Sequence, residues 1–493
     1  MTWFFRRKKP AVVPTDTIIP LHHFDDIPIF RRAIYDFTLR FDDVLNPDEL
    51  SAALRRLMEI GNWRKLGARL RLNDQGKLEY HVPMAYDKER PGFSYSHVKH
   101  EGSIQNDPTA ARIPKMTSNP SVQDSPEQFG CFVRRPDAPM KLHDYVLTDE
   151  PQLSLHVVSF ADATLVSITW LHTSFDIMGQ AALIDAWSLV LSGQEHRVIE
   201  LHGYDFDPLA TFGCSPISAE QSLLASHDVK GLHYILFALR FFSEILWWPK
   251  DELHTVCLPA SYLHTMKEKA LQELTTNETS KPFISDGDII CAWITRLSLQ
   301  HLPSSSTRSV AITNVLDMRR FLSKDLLPQG TAYVSNAASL VQSLVPASQL
   351  FQKPLSFTAL KVRQGIQEQA TREQVEAFIA FQRENTTSSG DSTAPFGDST
   401  SQLMLFTNWT KGNFYEVDFS SAVVKPGIPL EKRANRVGRP SYVQAVGHYD
   451  TKIPSRYAFI ISGKDAAGNY WISGRLRTGT WRSIEKEFAS ARI

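Results

Sequence analysis

The sequence has no excess of charge of either sign and few cysteines. Its 493 residues include 53 Lys and Arg and 53 Asp and Glu, so the chain has no net field that would attract nucleic-acid phosphates. We find no nucleic-acid-binding motif and expect no nucleic-acid partner. The 4 cysteines are far apart, and they form neither a Cys-x-x-Cys pair nor a zinc-type cluster with histidines. This pattern predicts reduced thiols in a cytoplasmic protein without a metal site.

The start of the sequence does not predict a secretory leader, and the sequence has no uncharged apolar run of spanning length. Residues 1–10 place basic side chains after a very short apolar patch, without a small-residue cleavage site. The stretch 232–248 approaches spanning length, but it contains Arg240 and Glu244 at i, i+4, a pair that suits a soluble helix. We expect a helix buried against a domain and no membrane association. An interfacial helix acting with the basic N-terminus is the alternative.

Strand-like and helical patterns alternate along most of the chain, which predicts an α/β fold. The predicted strands are 33–41, 68–72, 77–82, 152–160, 163–170, 310–315, 402–408, 414–419, 457–462 and 470–474. The predicted helices are 47–61, 180–192, 254–274, 289–299 and 481–490. Residues 94–135 and 387–401 lack periodicity and predict irregular loops. Weak periodicity over 193–223 marks a boundary, so we expect an N-terminal domain at 1–200, a crossover linker at 201–230 and a C-terminal domain at 231–493.

His172 is the strongest candidate for a catalytic group. It follows two strand-like stretches, precedes Asp176 by four residues and stands before a helical pattern, so it occupies a strand-to-helix junction. Imidazole titrates near neutral pH, and a fixed histidine in a cleft can remove the proton of a hydroxyl or amine that attacks an activated carbonyl. A hydrogen-bonded histidine at a strand end is the alternative. The same spacing at His22 and Asp26 lacks this setting, and we attribute it to composition.

Several segments, taken together, resemble the BAHD acyltransferases, specifically their fungal branch. The segment His172-Thr-Ser-Phe-Asp176 with Gly179 resembles the family's HxxxD motif, and 285–296 resembles its helix with an Ala-Trp pair. Residues 314–319 resemble its strand ending in Asp-x-Arg, and 333–336 its Tyr-x-Gly-Asn stretch. Thr407-Asn-Trp409 resembles its Ser/Thr-x-Trp, and 415–419 the start of its Asp-Phe-Gly-Trp-Gly motif. The order and approximate spacing agree from about Pro20 to the end of the chain.

Two positions depart from the family pattern. Ile177 stands where the family commonly has a glycine directly after the motif aspartate. The segment from Asp418 to Ala422 lacks both the glycine and the tryptophan of Asp-Phe-Gly-Trp-Gly. Since the family uses that motif structurally, we expect the change to affect a C-terminal turn rather than the chemistry.

The resemblance implies two domains folded like chloramphenicol acetyltransferase, each a mixed sheet with flanking helices, and a channel between them. His172 would be the general base, and neither a metal nor a covalent enzyme intermediate is required. The expected roles of the other residues are orientation of the loop by Asp176 paired with Arg319, stabilisation of the oxyanion by Thr407 and Trp409, contact with substrate by Asn336, and structural support by Asp418. No Gly-rich phosphate loop is present, so scattered basic and backbone groups would hold coenzyme A.

The predicted function is acyl-CoA-dependent acyl transfer, with acetyl-CoA as donor, by a monomer. The acceptor would be a hydroxyl of a small molecule, a polyketide, terpenoid or alkaloid of secondary metabolism. Transfer to an amine is one alternative. A condensation-type enzyme that uses carrier-bound thioesters is another, although such enzymes usually have a second histidine where this chain has Leu171. A non-catalytic homologue that binds a ligand or partner is the alternative outside enzymes, and the altered Asp418 segment favours it.

Overall fold

The computed structural model describes residues 10–215, 220–275, 283–386, 396–451 and 455–490. The strands are β1 Thr17–Pro20, β2 Ala33–Phe41, β3 Asp43–Leu45, β4 Arg69–Leu72, β5 Leu78–Val82, β6 Ser94–Lys99, β7 Ser121–Gln123, β8 Leu153–Ser159, β9 Thr164–Leu171, β10 Asp251–Leu258, β11 Ser309–Asp317, β12 Ala338–Pro346, β13 Gln402–Asn408, β14 Val423–Pro426, β15 Pro440–Tyr449, β16 Ala458–Lys464 and β17 Tyr470–Arg477. The helices are α1 Pro28–Arg31, α2 Pro47–Leu57, α3 Leu142–Val146, α4 Ile177–Leu191, α5 Gly231–Trp247, α6 Ala260–Thr275, α7 Asp286–Ser298, α8 Arg319–Leu322, α9 Ala347–Gln352, α10 Leu355–Gln369, α11 Arg372–Glu384 and α12 Thr480–Ser490.

Two mixed sheets contain most of the strands. The first has five strands in the order β15-β2-β9-β8-β6, and only β8 and β6 are parallel. The second has seven strands in the order β12-β11-β13-β16-β17-β10-β7, in which β13 is parallel to both β11 and β16. An antiparallel sheet β1-β5-β4 and the pair β14-β3 complete the described strands. The predicted α/β class is confirmed.

Each large sheet contains a strand from the opposite half of the chain. β15 pairs with β2 from Pro440↔Phe41 to Tyr449↔Ala33, so the last third of the chain supplies an edge of the first sheet. β7 pairs with β10, with Gln123 opposite Thr255, and supplies an edge of the second sheet. Backbone hydrogen bonds therefore connect the two halves of the chain. The predicted domain boundaries at 200 and 230 stay a prediction.

Side-chain caps begin several of the helices. The Asn46 side chain accepts from the amides of Asp48 and Glu49 at the start of α2. Ser285 and Asp288 form a reciprocal capping box on α7. Each cap satisfies amides that have no partner within the helix, which fixes where the helix begins.

Each large sheet has its own apolar core. Helices α2 and α4 contact each other in the core of the first sheet, where Trp63, Trp187 and Phe41 are fully or almost fully buried. Helices α7, α10 and α12 form the core of the second sheet, with Phe406 and Ile472 at its centre. Burial of this apolar area is the main stabilising contribution to the fold.

Three local predictions are wrong. Residues 254–258 belong to β10, and α6 begins only after Pro259, whose carbonyl accepts from Leu263 at 3.1 Å. The predicted strand 414–419 is a 3₁₀ turn at Phe414–Glu416, preceded by Asn413 with φ 49°. The stretch 94–135 contains β6 and β7, and both pair with strands distant in sequence. Within the predicted loop 387–401, residues 387–395 lie outside the described residues.

Helix α5 forms where the sequence predicts a helix, but it is not buried against a domain. None of its 17 residues is buried. No helix among the described residues is both long enough and apolar enough to cross a bilayer.

Candidate active site

His172 is the first residue after β9, the central strand of the five-stranded sheet. Every residue of β9 is buried, and the strand pairs with β2 on one side and β8 on the other. The His172 amide donates to the Ala33 carbonyl at 3.0 Å, which continues the pairing with β2 by one residue. The sheet therefore fixes the backbone of the histidine.

Hydrogen bonds from surrounding elements hold the loop 172–176. They run from the Asn336 amide to the His172 carbonyl at 2.8 Å, from the Tyr80 hydroxyl to the Thr173 carbonyl at 2.9 Å, from the Ser174 hydroxyl to the Gln152 side chain at 2.6 Å, and from the Trp170 indole to the Phe175 carbonyl at 3.0 Å. Moving the loop would break several largely buried bonds, so His172 is positioned before any ligand binds.

Two aromatic rings enclose the imidazole. The Phe30 ring stacks on it with centroids 3.9 Å apart, and the Tyr35 ring meets it edge-on at 5.1 Å. Burial lowers the pKa of His172 to about 4, although the carbonyls of His172 and Phe175 and the charge of Asp176 act in the opposite direction. The ring is therefore neutral at physiological pH and can accept a proton.

Asp176 uses both carboxylate oxygens in structural bonds. Oδ1 caps α4 by accepting from the amides of Met178 and Gly179, each at 3.0 Å. Arg319 donates to Oδ1 at 2.9 Å and to Oδ2 at 3.1 Å, and Ala337 donates its amide to Oδ2 at 2.9 Å. The structure thus contains the expected bidentate ion pair with Arg319. None of these bonds goes to the His172 ring.

Arg319 connects the HxxxD loop with the segment 333–337. Besides Asp176, its guanidinium donates to the carbonyls of Tyr333 and Ser335 and to Asp317. Burial lowers the pKa of Arg319, but the carboxylates of Asp176 and Asp317 outweigh it and raise the pKa above its usual value. A permanently charged planar donor therefore fixes the segment 333–337 against the HxxxD loop.

Asn336 positions the histidine backbone rather than facing solvent. Its side-chain amide donates to the His172 carbonyl at 2.8 Å and to Asp25 at 2.7 Å, and its backbone amide donates to the same Asp25 oxygen at 2.8 Å. Asp25 is fully buried, and burial raises its pKa to about 7.

A buried lysine and histidine extend this network. Lys65 Nζ lies 3.1 Å from His22 Nε2 and donates to the Gly203 carbonyl at 3.0 Å. His22 Nδ1 lies 3.0 Å from the Tyr333 hydroxyl. Burial lowers the pKa of Lys65 to about 8 and that of His22 to about 2. A chain of polar contacts thus runs from His22 through the segment 333–336 to His172.

The sequence analysis missed Asp25, Phe30 and Tyr35. The one available signal near Asp25 was the spacing of His22 and Asp26, which we attributed to composition. Asn336, the partner of Asp25, lies 311 residues away, so no local pattern relates the two. Phe30 and Tyr35 are ordinary apolar residues in sequence, and only their contact with His172 gives them a role.

Thr407 and Trp409 lie together at the end of β13. The Trp409 indole donates to the Thr407 hydroxyl at 2.8 Å, and the Trp409 ring is buried near Phe37 in the core. The indole N–H is therefore already used within the protein. Its bond leaves the hydroxyl proton of Thr407 free to be donated to another group.

Asp418 supports a turn without the family's glycines and tryptophan. Its carboxylate accepts from the Ser420 amide at 3.0 Å and pairs with Arg439 at 3.2 Å. The Phe419 side chain is buried, and its amide donates to the Gly438 carbonyl at 2.9 Å. Residues 420–422 form a 3₁₀ turn without a positive φ angle, so this turn needs no glycine there.

The described residues contain no group of three or more His, Cys, Asp or Glu side chains that could hold a metal ion. The four cysteines are free, two of them exposed and two buried.

The chain is similar to known proteins over most of its length. The model of the Transferase family matches residues 139–423, more than half of the chain. The chain is 41% identical over 491 residues, 99% of each chain, to "Transcriptional regulator calD" of Penicillium decumbens. It is 36% identical over 483 residues, 97% of each chain, to "Acetyltransferase adrJ" of Penicillium roqueforti.

A solved structure supports the fold. The structure of TRI101 from F. sporotrichioides, complexed with coenzyme A and T-2, superposes with a TM-score of 0.65. The superposition covers 96% of this chain and 98% of that chain, at 15% sequence identity. This likeness confirms the expected fold with two sheet-rich domains.

Proposed function

The chain belongs to the Transferase family, that of the BAHD acyltransferases, and on that premise we propose that it transfers an acetyl group from coenzyme A to a hydroxyl group of a secondary metabolite. The relative from P. roqueforti is named an acetyltransferase, and TRI101 was crystallised with coenzyme A and T-2. Both findings support a coenzyme A thioester as donor and a small molecule as acceptor.

The observation that carries this proposal is the state of His172. The imidazole is neutral because burial lowers its pKa to about 4, and its backbone is fixed by β2 and Asn336. The Nδ1 atom is enclosed and has no hydrogen-bond partner among the described residues, so Nε2 is the nitrogen proposed to meet the substrate. A neutral imidazole held at a fixed position is what general-base catalysis requires.

The proposed reaction is direct transfer. His172 Nε2 takes the proton of the acceptor hydroxyl as its oxygen attacks the thioester carbon. The resulting tetrahedral intermediate breaks the carbon–sulfur bond, and the histidine returns the proton to the coenzyme A thiolate. The products are the acetyl ester and free coenzyme A, so no redox step takes place. A thioester is already activated, and the base has only to remove one proton.

Thr407 is the proposed donor to the oxyanion. The Trp409 indole N–H donates to the Thr407 hydroxyl and leaves the hydroxyl proton available. Trp409 then acts through Thr407 rather than directly, which changes the role that the sequence suggested for it. A preorganised donor of this kind typically contributes about 10²- to 10³-fold to kcat.

Asp176, Arg319, Asn336 and Asp418 have positioning roles in this proposal. Asp176 and Arg319 fix the HxxxD loop through a bidentate pair, and Asn336 fixes the carbonyl of the histidine. Asp418 lies at the Ser420 turn and pairs with Arg439. We propose no direct substrate contact for these four residues.

The name of the relative from P. decumbens makes transcriptional regulation a second candidate function. The chain has equal numbers of basic and acidic residues, so it provides no overall attraction for DNA. The buried hydrogen bonds around His172 form a catalytic arrangement that DNA binding would not require. The following experiment distinguishes an acyltransferase from a regulatory protein that transfers no acyl group.

The test begins with the donor, because the acceptor is unidentified. Calorimetric titration of the full chain with coenzyme A and with acetyl-, propionyl- and butyryl-CoA should give micromolar binding that depends on the acyl group. The preferred donor is then incubated with a panel of hydroxylated polyketides and terpenoids, and products are detected by mass spectrometry. Binding of no thioester, together with retardation of DNA in a gel-shift assay, would favour the regulatory alternative.

A further inference from the structure

Helix α5 presents its apolar residues to solvent and its charged residues to the protein. The residues that face the body of the protein are partly buried: Phe237, Arg240, Phe241, Glu244 and Ile245. The opposite face has side chains that are 46–82% exposed: Leu232, Ile235, Leu236, Leu239, Phe242, Leu246 and Trp247. These positions recur at intervals of three and four, so they form one continuous apolar stripe along the helix. We call them the outer stripe.

Ion pairs on the opposite side hold the stripe outward. Arg308 donates to Glu244 at 2.7 Å, and Arg240 lies 3.8 Å from the same carboxylate. Arg456 donates to the carbonyl of Trp248 just after the helix. Arg308 directly precedes β11, and Arg456 lies two residues before β16. These bonds therefore connect α5 to the second sheet and fix its rotation about the helix axis. Turning the outer stripe inward would break them.

The outer surface of α5 has few polar groups to satisfy. The polar side chains among its exposed residues are those of His233, Tyr234 and Ser243, and the Ser243 hydroxyl already donates to the Arg240 carbonyl at 2.7 Å. A specific protein interface usually combines apolar contacts with a polar, hydrogen-bonding rim. A lipid surface requires only an apolar face flanked by basic residues.

A lysine lies at each end of the outer stripe, and the one that precedes α5 is paired with an aspartate. Lys230 precedes α5 and Lys250 follows it, and both are exposed. The neighbouring carboxylates are already paired: Asp228 with Lys230 at 2.7 Å, Glu244 with Arg308, and Asp251 with Arg456. Trp247 and Trp248 lie at one end, where an indole ring would reach the headgroup region. The edges therefore complement an anionic surface.

The length of α5 favours a helix that lies in the membrane plane. Its 17 residues extend over about 25 Å at ~1.5 Å per residue. A bilayer core is about 30 Å thick, and charged residues occupy the inner face of the helix. An in-plane orientation would immerse only the outer stripe and leave the ion pairs of the inner face in the protein.

We propose that the outer stripe of α5 docks the protein peripherally on an anionic lipid surface. This revises the expectation of no membrane association, and it does not depend on the proposed acyl transfer. A second copy of the chain that covers the same stripe is the competing occupant, and the test distinguishes the two.

The test is flotation of the full chain with vesicles. Wild-type protein should float with vesicles of phosphatidylcholine mixed with phosphatidylserine, less with phosphatidylcholine alone, and less at high salt. The Leu236→Glu, Leu239→Glu double variant should bind at least about tenfold more weakly. The matched control is Met84→Glu with Val424→Glu, which changes two apolar side chains that are 69% and 64% exposed outside α5. This control should float like wild type.

Three results would overturn the proposal. One is failure of wild-type protein to float with either kind of vesicle. Another is equal flotation of the double variant and the wild type. The third is a dimer in light scattering that the double variant converts to a monomer, without flotation of either, since the stripe would then be a self-interface. Thermal unfolding measured by circular dichroism verifies that each variant is folded.

Discussion

His172 is a base whose protonation is controlled by its aromatic neighbours. Phe30 and Tyr35 exclude water from the ring, and burial lowers the pKa of the histidine to about 4 from an ordinary value of 6.5. Folding therefore favours the neutral form. This contribution to stability is present above pH 6.5 and is lost as the pH falls towards 4.

Activity should accordingly persist at acidic pH. We expect the acid limb of kcat/KM to lie near pH 4 rather than 6.5 for the wild type. Phe30→Ala admits water to one face of the ring, so its acid limb should move upward towards 6.5. The measurement is the pH profile of both proteins with the same donor and acceptor. Identical acid limbs would mean that Phe30 does not control the protonation of His172.

Asp25 is predicted to be a positioning residue that acts through Asn336. Asp25→Ala removes the acceptor of two Asn336 bonds, so the His172 carbonyl loses its fixed partner. We expect kcat to fall about tenfold or more with little change in the KM for acetyl-CoA. Asp25→Asn retains an oxygen acceptor and should restore most of kcat. Equal loss in both variants would assign Asp25 a role other than accepting these bonds.

Arg319 is predicted to stabilise the fold through its buried pair. Arg319→Ala leaves Asp176 with an uncompensated charge, which should cost about 3–5 kcal/mol in the free energy of unfolding. Arg319→Lys retains the charge but has no planar fork to reach Asp176 and the Tyr333 carbonyl together, so it should restore only part of the loss. Urea unfolding of the two variants measures this. If Arg319→Ala were as stable as the wild type, the pair with Asp176 would make no net contribution to the free energy of unfolding.

The contact between α4 and the segment 333–337 determines how closely the two parts of the site approach each other. Asp176 caps helix α4, and Gly179 of this helix lies against the segment 333–337. A Cβ at position 179 would stand 2.0 Å from the Val334 carbonyl oxygen. The glycine is required there for close approach rather than for its φ angle, which gives a physical reason for the glycine at position 179 in this motif.

Gly179→Ala should therefore separate α4 from the segment 333–337. We expect a loss of about 3 kcal/mol in stability and at least about a hundredfold in kcat/KM, because the Asp176–Arg319 pair would be displaced. Gly102→Ala is the matched control, since nothing lies within 4 Å of its Cβ position. Denaturation and steady-state kinetics of both variants measure the effects. A fully active Gly179→Ala protein would show that the segment can shift without consequence.

Local patterns predicted those elements whose environment is local. The apolar runs of β2, β9 and β13 were recognisable because the pattern of burial lies within each segment. The boundary between β10 and α6 was missed because Pro259 was not recognised as the start of the helix. The stripe on α5 was visible as a helical pattern, but its direction depends on Arg308, which lies 64 residues from Glu244.

The complete site exists only in the assembled molecule. Its parts come from segments around Asp25, Tyr35, His172, Arg319 and Asn336, which the two mixed sheets and Arg319 bring together. The HxxxD motif made His172 and Asp176 predictable, and the resemblance made Arg319 predictable. The contacts of Asp25 with Asn336 and of His22 with Tyr333 were not predictable, because each connects two residues that lie 311 positions apart.

The most direct test of the account is acetyl transfer by a His172→Ala variant. Its rate is compared with wild type and with His156→Gln, which alters another buried histidine whose pKa is also lowered to about 4 by burial. The account predicts that His172→Ala lowers kcat by at least about 10³-fold, while His156→Gln remains active. Transfer by folded His172→Ala at the wild-type rate would contradict the assignment of His172 as the general base.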